Sequence, residues 1–412
     1  MSILLALNAG SSSLKFAAFS REKPELSLLA SGQVDGLGGD ATFTVKLPAG
    51  PETTEALDPV TAPHGHGLAS KKILAWLSEF QPGAAVLAVS HRVVHGGPDL
   101  LEPVVLDGAT LTRLQQLIPL APLHQPHNLA GIHAAREAFP HATQVACFDT
   151  SFHRSHPFVA DTFALPRSYY NEGVRRYGFH GLSYEFISRR LKTMYPDLHA
   201  GRVIVAHLGN GASMCAMLGG RSVASTMGFT ALDGLPMGTR CGQIDPGVVL
   251  YLLAEKGMSI DAVTDLLYKN SGLKGLSGLS NDVRELEAAD SPASRDALSY
   301  FVDQCRREIG GLAASIGGLD ALVFTGGIGE NAVQVRSDML HDMGWIGIHL
   351  DEKSNRAGGP VISHPESPVT VLVLCTDEGR MLAEHAVEVM GLPSTAGAPD
   401  AISSTSTVQR KP

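Results

Sequence analysis

The stretch ILLALNAGSSSLKFAAF at residues 3–19 and the stretch VIVAHLGNGASMCAML at residues 203–218 share one design. In each, an apolar strand runs into a turn of glycine and small polar residues, and a second apolar strand leaves it. Such a turn lets backbone amides and hydroxyls converge on an anion, because no bulky side chain stands in the way. Two of them in one chain predict a duplicated fold that grips a polyphosphate from both sides.

Outward from these hairpins, strand patterns recur at 42–47, 86–90 and 144–148, alternating with helical patterns near 67–80 and 128–138. The second set adds a strand at 322–325 and helices near 246–255, 260–268 and 294–316. A last strand at 369–375 leads into a helix at 378–390, placed to return to the first half and close it. This order describes an α/β fold with a mixed sheet flanked by helices. The expected domains are residues 1–150 plus 380–392, and residues 151–379. Residues 393–412, rich in Ser, Thr, Ala and Pro, are expected to be a disordered tail.

At 412 residues, 44% hydrophobic and 18% charged, the chain buries a large core and divides naturally into two domains. A net charge of −9 without a long basic run argues against nucleic acid, so an anionic ligand must be held by local cations. No apolar stretch approaches the roughly 20 residues of a membrane span, and the N-terminus carries no cationic lead, so no membrane partner and a cytoplasmic location are expected. The five cysteines are scattered, with no C-x-x-C pair, as reduced and mostly buried thiols would be.

A P-loop is excluded, because no Gly-Lys dipeptide occurs anywhere. FTGGIGENA at 324–332 follows a strand and opens a helix, and it nominally fits the dinucleotide pattern G-x-G-x-x-A, with Asp351 near the distance of a ribose-binding acid. The match stands alone and late in the chain. Three readings stay open: a backbone turn against an adenosine or α-phosphate, a plain helix entry, or an NAD site.

Arg92, ending a strand before a Gly-Gly pair, and Arg240, inside a glycine-rich loop, carry planar forks suited to carboxylate and phosphate oxygens. The alternative for either is a domain-bridging ion pair. Val93, Val94, Leu123 and Phe179 lie beside such positions, as an apolar cup for an organic acid or as ordinary core. Asp149 and Glu378 stand at strand ends, where a carboxylate either holds Mg²⁺ or caps a helix. The pairs His124/His127 and His64/His66 lack zinc spacing, and a proline interrupts the first. His180, between Phe179 and Gly181 in YGFHG, has the freedom to reach a ligand.

Taken together, NAGSSSLK at 8–15, HRVVHGG at 91–97, FDTSFH at 148–153, RYGFHG at 176–181, HLGNG at 207–211, GLPMGTR at 234–240 and TGGIGEN at 325–331 resemble the acetate kinases, within the acetate and propionate kinase group. The similarity spans nearly the whole chain before the tail. It implies the actin-like, ribonuclease H-like fold of sugar kinases and Hsp70, in two duplicated domains around a nucleotide cleft, and a homodimer. It implies ATP and ADP as co-substrates, Mg²⁺ with Mn²⁺ as its substitute, and reversible in-line transfer of the γ-phosphoryl group to acetate, giving acetyl phosphate. Carried over by position, Arg92 and Arg240 hold the carboxylate and the transferring phosphoryl, and His180 donates to that phosphoryl. Asp149 organises the metal in the catalytic set, with Asn8 and Glu378 as metal residues. The acyl cup is Arg92, Val94, Leu123, Phe179 and Ala231. Lys15, His207, Leu208, Gly209, Asn210 and Gly211 face the nucleotide, as do Asp282, Val283, Arg284, Gly327, Ile328, Gly329 and Asn331. Two neighbours depart from the family: Gly379 follows Glu378 where a second glutamate is frequent, and Ala231 replaces a common proline, leaving room for one methylene.

The chemistry needs no base. A small carboxylic acid has a pKa near 4.3, about that of Glu, and is ionised at neutral pH. The difficulty is repulsion between two anions, which cations and hydrogen-bond donors offset. Two rival classes share parts of this pattern: an actin-type filament or chaperone ATPase domain, which needs no arginine pair beside an apolar cup, and a nicotinamide-dependent dehydrogenase.

Overall fold

The computed structural model describes residues 1–22, 25–58 and 65–393. Residues 394–412 of the expected tail, and His64, lie outside the described residues. The first sheet holds β1 (Ser2–Ala9), β2 (Ser13–Ser20), β3 (Ser27–Asp35), β4 (Thr42–Lys46), β5 (Glu52–Ala56), β6 (Ala85–Val93), β7 (Val104–Val105) and β8 (Thr143–Phe148). The second holds β9 (Arg202–Leu208), β10 (Ala212–Leu218), β11 (Arg221–Ser225), β12 (Ala321–Thr325) and β13 (Thr370–Val373).

Their orders are β5-β4-β3-β2-β1-β6-β8-β7 and β11-β10-β9-β12-β13. The five strands β3-β2-β1-β6-β8 therefore repeat as β11-β10-β9-β12-β13. In both sets the first three strands form an antiparallel meander, and the last two run parallel to the first. This is the actin-like core, made twice; β4, β5 and β7 are additions to the first copy.

The central strands are apolar because both faces are covered. Ile3, Leu5 and Leu7 of β1 join the cluster containing Ile73 and Leu77 of helix Gly65–Phe80. Leu4 and Ala6 face the other way, into a cluster shared with Leu182 and Ile187 of helix Gly181–Met194 and Met381 and Leu382 of helix Glu378–Val389. Val203, Val205 and Val323 of the second sheet belong to that same cluster, so one continuous core joins the two sheets through these helices. The far face of the second sheet packs on helix Pro292–Ser315. The final helix rests on β1, β2, β6 and β8, although it follows a strand of the second sheet. No described helix is long and apolar enough to cross a membrane.

Candidate active site

Adjacent strand ends bring the first group together. β1, β6 and β8 run parallel, and Asn8, Arg92 and Asp149 lie at or just past their carboxyl ends, where ligands of α/β sheets bind. Arg92 donates from Nε to both Asp149 oxygens (3.0 and 3.1 Å) and from Nη2 to Oδ2 at 2.6 Å. Its Nη1 reaches Asn8 Oδ1 at 3.4 Å. Glu378, the first residue of the final helix, comes from the opposite half of the chain and stands 3.9 Å from Arg92 Nε. Burial works against the Arg92 charge, but Asp149 and Glu378 outweigh it and hold the guanidinium protonated well above its ordinary range. Asp149 is fully buried, and that burial pushes its carboxyl upward while the Arg92 fork opposes it.

Arg240 is the contrasting cation. Its Nη1 donates to the Ala231 carbonyl (2.9 Å) and approaches Met237 Sδ (3.6 Å). Among the described residues no carboxylate stands within 4.0 Å of it as an ion-pair partner. Burial lowers its pKa, Tyr268 opposes, and nearby Arg92 lowers it further. A half-buried guanidinium without a carboxylate partner among the described residues is open to an anion.

His180 occupies the left-handed region (φ 57°), and Gly181 beside it donates its N–H to the Asp149 carbonyl at 2.9 Å. A Cβ on Gly181 would stand 2.2 Å from that carbonyl oxygen, so only glycine permits the docking. The imidazole stacks on His207 with ring centroids 4.3 Å apart, and its Nδ1 lies 2.8 Å from Ser213 Oγ. Burial, then His207 and the two arginines, hold its pKa well below the ordinary value, so the ring is neutral. A Cβ built on Gly211 would lie 3.2 Å from His180 Nε2 and 4.0 Å from Arg240 Nη1, which places both groups over the second glycine turn. Arg92 and Arg240 also both depress His124, held at about 4 chiefly by burial. The two arginines thus share one pocket.

Beside it lies a cavity of about 10 Å³ lined by Val94, Leu123, Phe179 and Ala231, with His124 and Tyr268. Four of the five expected cup residues meet there, and the fifth, Arg92, is not among those lining the cavity. Val93 does not: it points into the helix layer with Leu100 and Phe148. The alternation of a strand sends neighbouring side chains to opposite faces.

The nucleotide candidates border the second sheet. Gly209 donates to the Gly211 carbonyl (3.0 Å), and a Cβ on Gly209 would come within 3.9 Å of Gly327 N. Helix Gly326–Asn331, which includes Ile328 and Gly329, is closed at its start by Glu330 Oε1, accepting from Gly326 N at 2.9 Å, and Asn331 Nδ2 donates to the Gly327 carbonyl at 2.8 Å. Asn281 Nδ2 donates to Asn210 Oδ1 at 3.0 Å, joining the turn to the start of helix Val283–Ala289. There Asp282 caps the helix and pairs with Arg284 at 2.5 Å, leaving Arg284 solvent-facing. Leu208 and Val283 are buried core rather than surface. Lys15 stands opposite Asn8 in the β1–β2 ladder and lines a cavity of about 500 Å³ with Asn8 and Glu378. Asp351, the candidate ribose acid, is engaged as a helix cap, accepting from Lys353 N at 2.9 Å.

Asn8, Asp149 and Glu378 offer two carboxylates and an amide oxygen around Arg92. Among the described residues no group of three or more His, Cys, Asp or Glu side chains forms a self-sufficient metal cage. The donor set fits Mg²⁺, which keeps waters and takes its remaining oxygens from phosphate. Residues that sequence reading passed over include Tyr184, Ser213, Thr230 and Tyr268. Only Tyr184 left a signal, four residues beyond His180 on one helical face.

The chain matches the Acetokinase family over residues 3–384. It is 56% identical over 395 residues to an acetate kinase of Methylocella silvestris, covering 94% of this chain and 98% of that one. A solved acetate kinase of Porphyromonas gingivalis superposes with a TM-score of 0.85 at 37% identity, covering 95% of this chain and 100% of the other. A propionate kinase of Francisella tularensis superposes at 0.86 with 33% identity, covering 93% and 99%. With its duplicated core and these relatives in agreement, the chain belongs to the acetokinase family.

Proposed function

We infer that the protein transfers the γ-phosphoryl group of ATP reversibly to acetate, giving acetyl phosphate and ADP. The observation that carries this reading is the half-buried Arg240, with no carboxylate partner among the described residues, sharing a pocket with Arg92 and His180 beside a small apolar cup. The acetate carboxylate supplies the missing negative charge, and its methyl group enters the cup. Ionised already, it attacks in line without a base. Arg92, fixed by Asp149, and His180, with Nε2 over the glycine turn, face the equatorial oxygens where charge is spread during transfer. Mg²⁺ or Mn²⁺, held by Asn8, Asp149 and Glu378, neutralises phosphate charge when bound. The turn at Gly209–Gly211 and the 282–284 and 327–331 segments cradle the nucleotide, and Lys15 faces its phosphates across the cleft.

The domains in this reading are 1–150 plus 380–392, and 151–379. The final helix packed on the first sheet supports that assignment. A homodimer is supported by helix Pro246–Ala254, PGVVLYLLA, which buries no residue and leaves Leu250 65% exposed, with Ile260 75% exposed on the adjoining helix. An apolar helix of this kind needs a covering surface, here a second copy. Sedimentation equilibrium should give twice the chain mass, and Leu250→Asp should give the monomer. The free cysteines fit a reducing cytoplasm.

The decisive experiment incubates the full chain with ATP, Mg²⁺, acetate and hydroxylamine. Acetate-dependent hydroxamate is the expected result. ATP hydrolysis without hydroxamate would place the chain with the filament and chaperone ATPases instead.

A further inference from the structure

We propose that Ser213, anchored by Tyr184, is a positioning residue that holds the His180 imidazole as the tautomer with its proton on Nε2, aimed at the transferring phosphoryl. This rests on the reading of the site given above.

Three buried groups form a chain. Tyr184 Oη lies 2.5 Å from Ser213 Oγ, which lies 2.8 Å from His180 Nδ1. Tyr184 and Ser213 are both fully buried, at 0% exposure. Each hydroxyl brings one proton, as does a neutral imidazole. Run forward, Tyr184 donates to Ser213, Ser213 donates to Nδ1, and the imidazole proton is left on Nε2. Run backward, Nδ1–H donates to Ser213, Ser213 donates to Tyr184, and the phenol proton is left over. Among the described residues Tyr184 Oη has no second partner, so the backward chain strands a donor inside the protein, which buried donors rarely tolerate. Proton counting therefore selects the forward chain.

The ring is also fixed in orientation. His207 stacks on it, and His207 is itself tied through Nδ1 to Ser183 Oγ at 2.8 Å. The left-handed backbone at His180 sets the ring across the mouth of the 209–211 turn, where the missing Cβ of Gly211 leaves Nε2 an open approach. Burial keeps the phenol protonated, its pKa pushed well above the ordinary value, so the first donor of the chain persists across the working pH range. A hydroxyl relay thus converts a neutral, two-tautomer ring into a dedicated donor.

The test is ¹⁵N imidazole NMR of the full nucleotide-free chain, beside steady-state kinetics. Wild-type His180 should show protonated Nε2 and bare Nδ1. Ser213→Ala removes the donor to Nδ1 and should introduce the Nδ1–H tautomer and lower kcat by roughly 10- to 100-fold with little change in the acetate KM, and Ser213→Thr should restore both signals. Tyr184→Phe, one oxygen smaller, leaves Ser213 no acceptor but Nδ1 and should keep the Nε2–H tautomer, with kcat only a few-fold lower as Ser213 loses its anchor. Should Ser213→Ala fail to fold, Ser213→Cys, a weak donor, carries the comparison. An Nδ1–H tautomer in the wild type or in Tyr184→Phe, or wild-type tautomer and kcat in Ser213→Ala, overturns the proposal. Wild-type turnover in His180→Ala, when the wild-type ring itself shows the Nε2–H tautomer, instead overturns the reading of the site on which it rests.

Discussion

Arg92 and Arg240 approach one pocket from opposite halves of a duplicated fold, yet their surroundings differ in kind. Arg92 grips Asp149 through three contacts and has Glu378 nearby. Among the described residues Arg240 has a carbonyl, a thioether and no carboxylate. Duplication supplied the frame, and the two copies then took different electrostatic roles. The first carries its counter-ions with it and presents a rigid, compensated fork. The second leaves a half-buried charge open, so that binding an anion relieves part of a desolvation penalty already present in the free protein.

The largest expected effect strikes both sides. Arg92→Ala and Arg240→Ala should each lower kcat by on the order of 10³ to 10⁵, and lysine at either position should recover only part, because a point charge cannot reproduce the fork. Unchanged turnover in both alanine variants ends the shared-pocket account. Stability should then separate the pair. Arg92→Ala strands a fully buried Asp149 and should destabilise the free protein by about 3–5 kcal/mol, a loss that adding Asp149→Asn largely reverses. Arg240→Ala removes an uncompensated charge and should leave the urea midpoint unchanged or raised. Equal losses in the two variants would erase the contrast.

The frame was readable because β1 and β9 are covered on both faces and are apolar along most of their length, with small residues closing each hairpin. β3 was not readable. Gly32 interrupts its pattern, yet a Cβ there would meet the Thr44 carbonyl at 2.2 Å and the Phe16 ring at 2.7 Å, so the breaker is a packing requirement. β5 reads ETTEA with every residue exposed, and an edge strand of that kind has no apolar face to detect. In the site, glycine-flanked Arg92, Arg240 and His180 stood out by residue type. Which arginine is paired did not, because Asp149 and Glu378 reach Arg92 through strand order and a returning helix. Ser213 and Tyr268 stayed hidden because a single hydroxyl has no spacing to give it away.

The cup offers a smaller test of how the open arginine is served. A cavity of about 10 Å³ is near the space of one water-sized group, so acetate should exceed propionate in kcat/KM by about 1–3 kcal/mol despite the small Ala231. Val94→Ala, which widens the cup at its wall, should narrow that ratio and leave the ATP KM in place. A ratio indifferent to Val94 would detach the cavity from Arg240.

The finest test uses two histidines as reporters. His91 and His124 are both depressed from 6.5 to about 4. For His91 burial does this alone, against a hydrogen bond to Gln144; for His124 burial is joined by the fields of Arg240 and Arg92. Because folding lowers both values, the unfolded chain binds more protons below pH 6.5. Stability is therefore complete above that pH and falls as acid approaches pH 4. In Arg240→Ala the His124 titration, followed by NMR, should move upward by on the order of one pH unit while His91 stays where it is. The loss of stability between pH 6.5 and pH 4 should shrink accordingly. If His91 moves as far as His124, the variant has loosened the whole core, and the field assigned to Arg240 is not what separates the two histidines.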